Sequence, residues 1–256
     1  MADLSAAERR MQTIQLLREH GHASVSKLSE RFGVSEVTIR KDLRALEDED
    51  VVVRTHGGAV LADHFKFDVP FDSQAALHAE EKRRIGQAAA ARITDGDSLI
   101  LTYGTTTAQV ARHLLGRRNL TVLTNSVRIL AELIGNLEAD VLMLGGHLTQ
   151  ATATVAGPYA EQMLRDLTVR KLFLGCDGVD PDHGLTTTNA LEAHLHRRMI
   201  DVAEEVIVVA DASKFGRRGL SRVCDVDSID VFITDARAPE AMVRQLETAG
   251  VEVCLV

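Results

Sequence analysis

The sequence predicts an α/β protein in two parts: an N-terminal winged helix-turn-helix and a larger C-terminal domain on a mainly parallel sheet. Three observations carry that expectation. Residues 24–46 hold two apolar stripes of helical period broken by a glycine. Two short strand-like runs, 51–54 and 57–60, follow around a His-Gly turn. From Asp97 onward, apolar strand-like runs alternate with helical stretches, the pattern of a parallel sheet covered on both faces. A chain of 256 residues can hold two such domains, and the expected boundaries are 1–60, a linker at 61–79, and 80–256.

In chain order, residues 6–20 read as a first helix with Met11, Ile14 and Leu17 on one stripe, ended by Gly21. In SVSKLSERFGVSEVTIRKDLRAL, Val25, Leu28 and Phe32 make one apolar face, and Ile39, Leu43 and Leu46 another. Ser24 and Ser35 stand where each helix begins, with hydroxyls able to accept an otherwise orphan N–H. Gly33 supplies the turn, and Val34 tucks beneath it. On the second of these helices Val37, Lys41 and Arg44 point away from the apolar set, flanked by Thr38 and Arg40. Such a face suits a DNA major groove: Arg can grip guanine by two hydrogen bonds, a small apolar group can meet a thymine methyl, and Lys and Thr can hold phosphates. The same pattern also describes an amphipathic helix with a solvated basic face.

Composition narrows the class. Apolar residues make up 45% of the chain and charged residues 26%, as in a globular protein. Three well-separated cysteines, with no CxxC pair, fit free thiols in a reducing cytoplasm. No apolar run approaches the ~20 residues that span a bilayer, and no signal peptide is evident. A net charge of −8 argues against indiscriminate coating of nucleic acid, although a local cationic face suffices for sequence-specific binding. Residues 1–60 hold nine Lys/Arg and ten Asp/Glu. The run Glu47-Asp48-Glu49-Asp50 is expected to repel phosphate just past the second helix.

Residues 61–79 break the periodicity and contain Pro70, so they read as a linker, packed on the second domain through Phe65, Phe67 and Phe71. Residues 80–93 then read as a helix with Ile85, Ala88, Ala89 and Ile93 inward. Strands are expected at 98–102, 121–124, 141–144, 171–175, 206–210, 231–234 and 251–256. Helices are expected at 106–115, 127–133, 159–167, 189–202 and 239–249.

Ligands of such sheets bind beyond the carboxyl ends of the strands, and polar clusters fall at several of those ends. Tyr103-Gly104-Thr105-Thr106-Thr107 offers a glycine, helix-start N–H groups and hydroxyls, which together can cradle a phosphate. Neither GxxxxGK[ST] nor GxGxxG is present, so ATP and NAD have little support and no cofactor is expected. Thr124-Asn125-Ser126 offers amide and hydroxyl groups suited to a sugar, and Gly145-Gly146-His147 allows close backbone approach. Cys176-Asp177-Gly178-Val179-Asp180 and Asp211-Ala212-Ser213-Lys214-Phe215 add acids and a cation. Each alone reads as structural; five at successive strand ends point to a site. His194 and His196 are two apart on a helix, so they face different directions and make no metal site.

TIRKDLRALE followed by VVVRTHGGAV resembles the DNA-binding segment of the DeoR family of bacterial repressors. YGTTT, LTNS, MLGGHL, FLGCDGVD, GLTTTN, ADASKFGR and FITD resemble that family's effector domain, itself similar in fold to ribose-5-phosphate isomerase. The resemblance implies a recognition helix with Ser35, Val37, Thr38, Arg40, Lys41 and Arg44 at the DNA, and Arg54 and His56 on a β wing. His56 either touches DNA or stands solvated in its turn. In the second domain it implies that Gly104, Thr105, Thr106 and Thr107 hold a phosphate and that Asn125, Asp177 and Lys214 contact a sugar, with Ser126, Gly145 and Gly146 beside them. The implied protein is a cytoplasmic repressor of a sugar-catabolism operon, released from operator DNA by a phosphorylated sugar, acting as a homodimer or homotetramer, with no catalytic residues, no metal and no membrane. An effector-dependent activator and an isomerase-like enzyme, with Asp177 or Asp180 as base and Lys214 as electrostatic stabiliser, are the alternatives. One departure is Thr102, where family members often carry an acid two residues before the glycine of the GTT loop. GGHL, LFLG, LEAHLHRRM, VIVVADASKFGR and AGVEVCLV resemble the subgroup governing N-acetylgalactosamine, galactitol and tagatose use.

Overall fold

The computed structural model describes residues 5–20, 23–48, 52–55, 57–61, 71–114, 116–135 and 137–256. The chain divides into two compact units, Met1–Leu77 and His78–Val256. Gly21, Glu49, Asp50, His56, Phe65, Phe67 and Pro70 lie outside the described residues.

In the first unit, α1 (Ala6–His20), β1 (Ala23–Ser24), α2 (Val25–Phe32) and α3 (Glu36–Asp48) precede a hairpin of β2 (Val52–Thr55) and β3 (Gly58–Leu61). The core joins Leu17, Val25, Leu28, Ile39, Leu43 and Leu46, apolar positions the helical period selects, with Val52 of β2. The Ser24 hydroxyl accepts from the Lys27 amide, and Gly33 closes α2 at φ +65°, a left-handed conformation that glycine adopts without strain. Ser35 caps α3 by accepting from the Thr38 amide at 3.2 Å.

The structure departs from expectation at three places here. Met11 is 72% exposed; the inward stripe of α1 is Arg9, Thr13 and Leu17, because Arg9 is drawn in by Asp42 of α3 at 2.6 Å. Ala23–Ser24 forms a strand against β3, so the wing sheet has three strands in the order β1-β3-β2. The segment expected as linker contains α4 (Phe71–Ala76), with Phe71 buried.

The second unit begins with α5 (Ala79–Ala91), β4 (Ser98–Leu101), α6 (Thr105–Arg112), β5 (Arg118–Thr124), α7 (Val127–Leu133) and β6 (Glu138–Met143). A small hairpin of β7 (His147–Thr149) and β8 (Thr154–Ala156) leads into α8 (Pro158–Met163) and β9 (Val169–Leu174). Then come β10 (Gly178–Asp180), β11 (Gly184–Thr187), α9 (Ala190–Asp201), β12 (Ala203–Val209), β13 (Ser221–Cys224), β14 (Val231–Thr234), α10 (Glu240–Thr248) and β15 (Glu252–Leu255).

Seven strands form one parallel sheet in the order β15-β14-β12-β9-β4-β5-β6. These are the seven apolar runs of the sequence, and their central members bury Leu99, Ile100, Leu101, Leu172, Phe173, Leu174, Ile207 and Val208 completely. The order reverses between β4 and β9: the chain winds outward from β4 to β6, then returns to β9 and winds the other way. A crevice opens at the carboxyl ends of two strands that diverge in this way. Against this sheet α5 packs so closely on α6 that a Cβ on Gly86 would lie 2.5 Å from Gln109 Cβ. The β7–β8 hairpin and the antiparallel sheet β10-β11-β13 have no apolar run long enough to announce them.

Candidate DNA-reading face and ligand site

On α3, Val37 (73% exposed), Arg40, Lys41 and Arg44 stand exposed on one side, with Thr38 half-buried among them. Ser35 and Thr38 share a hydroxyl hydrogen bond at 3.0 Å, so both belong to the helix cap before they can belong to a DNA contact. Arg40 pairs with Glu36 one turn back at 2.6 Å, an exposed pair of the kind worth little in water. That guanidinium can change partner at small cost. Arg54 on β2 is held by Glu47 at 2.7 Å, so one charge of the expected repulsive run is neutralised by the wing. The side chain of Asp48 and residues Glu49, Asp50 and His56 lie outside the described set.

At the carboxyl edge of the large sheet, five loops follow β6, β5, β4, β9 and β12, five neighbouring strands. The turn after β4 and the turn after β9 meet at the point where strand order reverses. There a Cβ on Gly104 would lie 4.0 Å from Gly175 Cα, and one on Gly175 would lie 3.3 Å from the Tyr103 carbonyl. Gly104 sits at φ +155° immediately before α6, so Thr105 and Thr106 open the helix with N–H groups that no earlier turn can satisfy. Thr107 is fully buried and donates its hydroxyl to the Gly104 carbonyl at 2.9 Å, which fixes the turn from behind. Thr102 receives the Gly175 amide at 3.0 Å and so ties β4 to the loop after β9.

Asn125 and Ser126 are fully buried and occupied by the protein itself. Asn125 accepts the Tyr103 amide at 3.0 Å and donates to the Val155 carbonyl at 3.2 Å; Ser126 caps α7. The structure thus gives Asn125 the task of holding the Tyr103 turn against β8, and Ser126 that of starting α7. Gly145 and Gly146 are exposed just before β7, and a Cβ on Gly146 would collide with the Ala156 carbonyl at 2.7 Å, so Gly146 lets the start of β7 lie close to the end of β8.

Asp177 is half-buried, and its Oδ2 accepts three bonds: from Thr187 Oγ1 at 3.0 Å, the Thr188 amide at 2.9 Å and Thr188 Oγ1 at 3.1 Å. Its Oδ1 has no hydrogen bond among the described residues. The repeated threonines of GLTTTN carry no signal of this task by spacing, yet they fix the carboxylate's orientation. Lys214 is half-buried on a 3₁₀ turn, Ala212–Lys214, and forms no ion pair among the described residues. Burial pushes the Cys176 thiol up to about 12 against the pull of the Lys214 ammonium, so Cys176 stays protonated beside the crevice.

Buried charge surrounds this turn. Burial raises the Asp211 carboxyl, but Lys214 and the Ser213 amide outweigh it and hold the group below its ordinary range. Burial brings the Lys82 ammonium of α5 down to about 8, with Asp211 opposing that fall. Lys82 belongs to no motif of the sequence; Thr187 and Thr188 lie in GLTTTN and Asp235 ends FITD, yet nothing in those segments assigns them a task. Two grooves of about 490 and 610 Å³ lie elsewhere, along α8 and α9, lined by Glu161, Arg198 and Asp201 among others. No helix among the described residues is long and apolar enough to cross a membrane.

The DeoR C-terminal sensor domain family matches residues 77–236, and the DeoR-like helix-turn-helix domain family matches residues 9–65. A putative aga operon transcriptional repressor of Escherichia coli O157:H7 is 40% identical, over 98% of this chain and 94% of its own. The transcriptional repressor AccR of Agrobacterium fabrum is 36% identical, over 91% and 90% of the two chains. The glycerol-3-phosphate regulon repressor of Escherichia coli K12 is 30% identical, over 91% and 92%. Ribose 5-phosphate isomerase A of Methanocaldococcus jannaschii aligns over 55% of this chain and 56% of its own, at 16% identity and a TM-score of 0.40, too slight a likeness to carry function.

Proposed function

From the premise that the chain belongs to the DeoR family of helix-turn-helix regulators, we propose that it is a cytoplasmic repressor of a sugar-catabolism operon that leaves its operator when a phosphorylated sugar binds. The observation that carries the reading is the meeting of two glycine turns at the strand-order reversal. There the first turn of α6 offers its amides, Asp177 follows Gly175 by two residues, and Lys214 is near enough to Cys176 to act on its thiol, so that these groups together outline one site. In it the Gly104–Thr106 backbone holds the phosphate, with Thr107, Asn125 and Ser126 as the frame that keeps the turn open. Asp177 Oδ1 accepts sugar hydroxyls, and Lys214 supplies the cation that a dianion needs. The names of the full-length relatives support the repressor reading over an enzyme. So does Thr102, whose hydroxyl is tied to Gly175 where an isomerase-like acid would stand.

At the DNA, Arg40 and Val37 read bases while Ser35, Thr38, Lys41, Arg44, Arg54 and His56 hold the backbone. Paired half-sites call for at least two copies, joined as a homodimer or homotetramer through the C-terminal unit. Ligand favours an arrangement of copies that no longer matches the half-site spacing. A coupling of ~1–3 kcal/mol per site lowers operator affinity ~5–150-fold.

The test is a thermal-shift panel of hexose, amino-sugar and triose phosphates. A true effector at about 100 times its Kd stabilises the fold by ~2.7 kcal/mol. Lys214→Ala keeps operator binding and loses the response to that effector. A panel without any stabilising member, or a normal response in the variant, overturns the reading.

A further inference from the structure

Resting on that reading, we infer that Asp235 and Arg237 form a strut that carries the state of the Lys214 turn to the start of α5, the helix that follows directly on the DNA-binding unit. The links are continuous. The 3₁₀ turn that bears Lys214 closes on Asp211, whose carbonyl accepts the Lys214 amide at 3.0 Å. The next amide, Ala212 N–H, donates to Asp235 Oδ2 at 2.7 Å. Asp235 is fully buried, and its Oδ1 receives both the amide of Arg237 at 3.1 Å and its Nε at 2.9 Å. The far side of the same guanidinium reaches the first residues of α5: Nη2 lies 2.9 Å from Glu81 Oε1 and 3.4 Å from His78 Nδ1.

The receiving end is a strained one. His78 precedes α5 at φ +52°, a left-handed conformation costly for a residue with a Cβ, and no side chain caps the helix there. A backbone held at that cost depends on its surroundings, and the Arg237 fork is one of the groups that hold it. The buried end of the strut cannot move alone, because Asp235 is anchored at both oxygens. A displacement of the 212–214 turn by a ligand on Lys214 therefore passes to Arg237, and Arg237 passes it to His78 and Glu81. Two directed contacts on one planar fork are needed, which a lysine's single ammonium reproduces only in part.

The experiment uses the full-length chain and whichever panel member raises the wild-type melting temperature. Arg237→Met is expected to keep the thermal shift with that sugar phosphate and to cut operator release from ~5–150-fold to under ~2-fold; Arg237→Lys falls between. Loss of the thermal shift in Arg237→Met would make it part of the ligand site, and unchanged release would leave the strut without a role; either overturns the inference. If no panel member acts on the wild type, it is the sugar-phosphate reading that fails. The strut is then read without ligand, from amide exchange of residues 82–86: Arg237→Met loses protection there if the strut holds α5, and unchanged exchange overturns it.

Discussion

The two units handle charge in opposite ways. On α3 of the first unit the cations stand at the surface, and among the described residues Arg40 has only an exposed partner one turn away. In the second unit ionisable groups are taken inside: Asp97, Lys82, His196, Asp211 and Asp235 are all buried. Surface cations exchange Glu for phosphate or guanine at little cost, which suits a unit that must bind and release a polyanion. Buried charges hold a fixed geometry, because removing one partner strands the other in low dielectric. A reading face and a sensing crevice therefore need different electrostatics, and this chain separates them.

The strongest challenge to that contrast is inside the first unit, where Arg9 and Asp42 make a buried pair at 2.6 Å that fastens α1 to α3. Asp42→Ala is expected to cost the first unit ~3–5 kcal/mol, seen as an early unfolding transition with the second unit's transition unmoved. A single shifted transition for the whole chain would mean that the units do not fold independently.

His196 gives the next largest effect. Burial brings its imidazole down to about 4, although Asp177 pulls it up, and neither ring nitrogen has a partner among the described residues. The folded state therefore prefers the neutral ring. No penalty exists above the ordinary value near 6.5, and stability falls as pH drops from there through about 4, by roughly 3 kcal/mol in all. His196→Leu should flatten chemical-denaturation stability across that window; an unchanged slope would place the titration elsewhere.

Asp97 works in the other direction. Burial raises its carboxyl, but Lys171 at 2.7 Å, the Thr94 amide and Arg170 outweigh it and bring it down to about 2. Its stabilisation is complete above about pH 4 and disappears as pH falls through about 2, so Asp97→Asn should cost ~2 kcal/mol at pH 7 and little at pH 2. The smallest expected change in stability is at the reading face. Arg40→Ala should alter folding by under ~0.5 kcal/mol while weakening operator binding by ~1–3 kcal/mol. Equal losses on operator and random DNA would make Arg40 a phosphate contact.

The parallel sheet and the helix-turn-helix were legible because apolar period and strand alternation depend on neighbours in sequence. The seven sheet strands fall where the apolar runs predict, and Ser24, Ser35 and Gly33 end or begin helices as their chemistry requires. What stayed hidden depends on neighbours in space. Met11 fits the apolar stripe of α1, yet Arg9 takes the inward place through a partner 33 residues away. Asn125 has the chemistry of a sugar contact, but its amide goes to Tyr103 and Val155, a fate no spacing reveals. Asp177 and Lys214 could be named from their strand ends, whereas Thr187, Thr188 and Asp235 lie in GLTTTN and FITD with no spacing to reveal which groups they bond, and Lys82 lies in no motif.

The central claim is that a phosphate sits where β4 gives way to α6 and that this occupancy governs the operator. A crystal structure of the full-length chain with the sugar phosphate that most raises its melting temperature tests it most directly. Phosphate oxygens are expected at roughly 3 Å from the Thr105 and Thr106 amides, with the sugar toward Asp177 and Lys214. Density for the ligand in the grooves along α8 and α9, with the Gly104 turn closed by protein side chains, would contradict it.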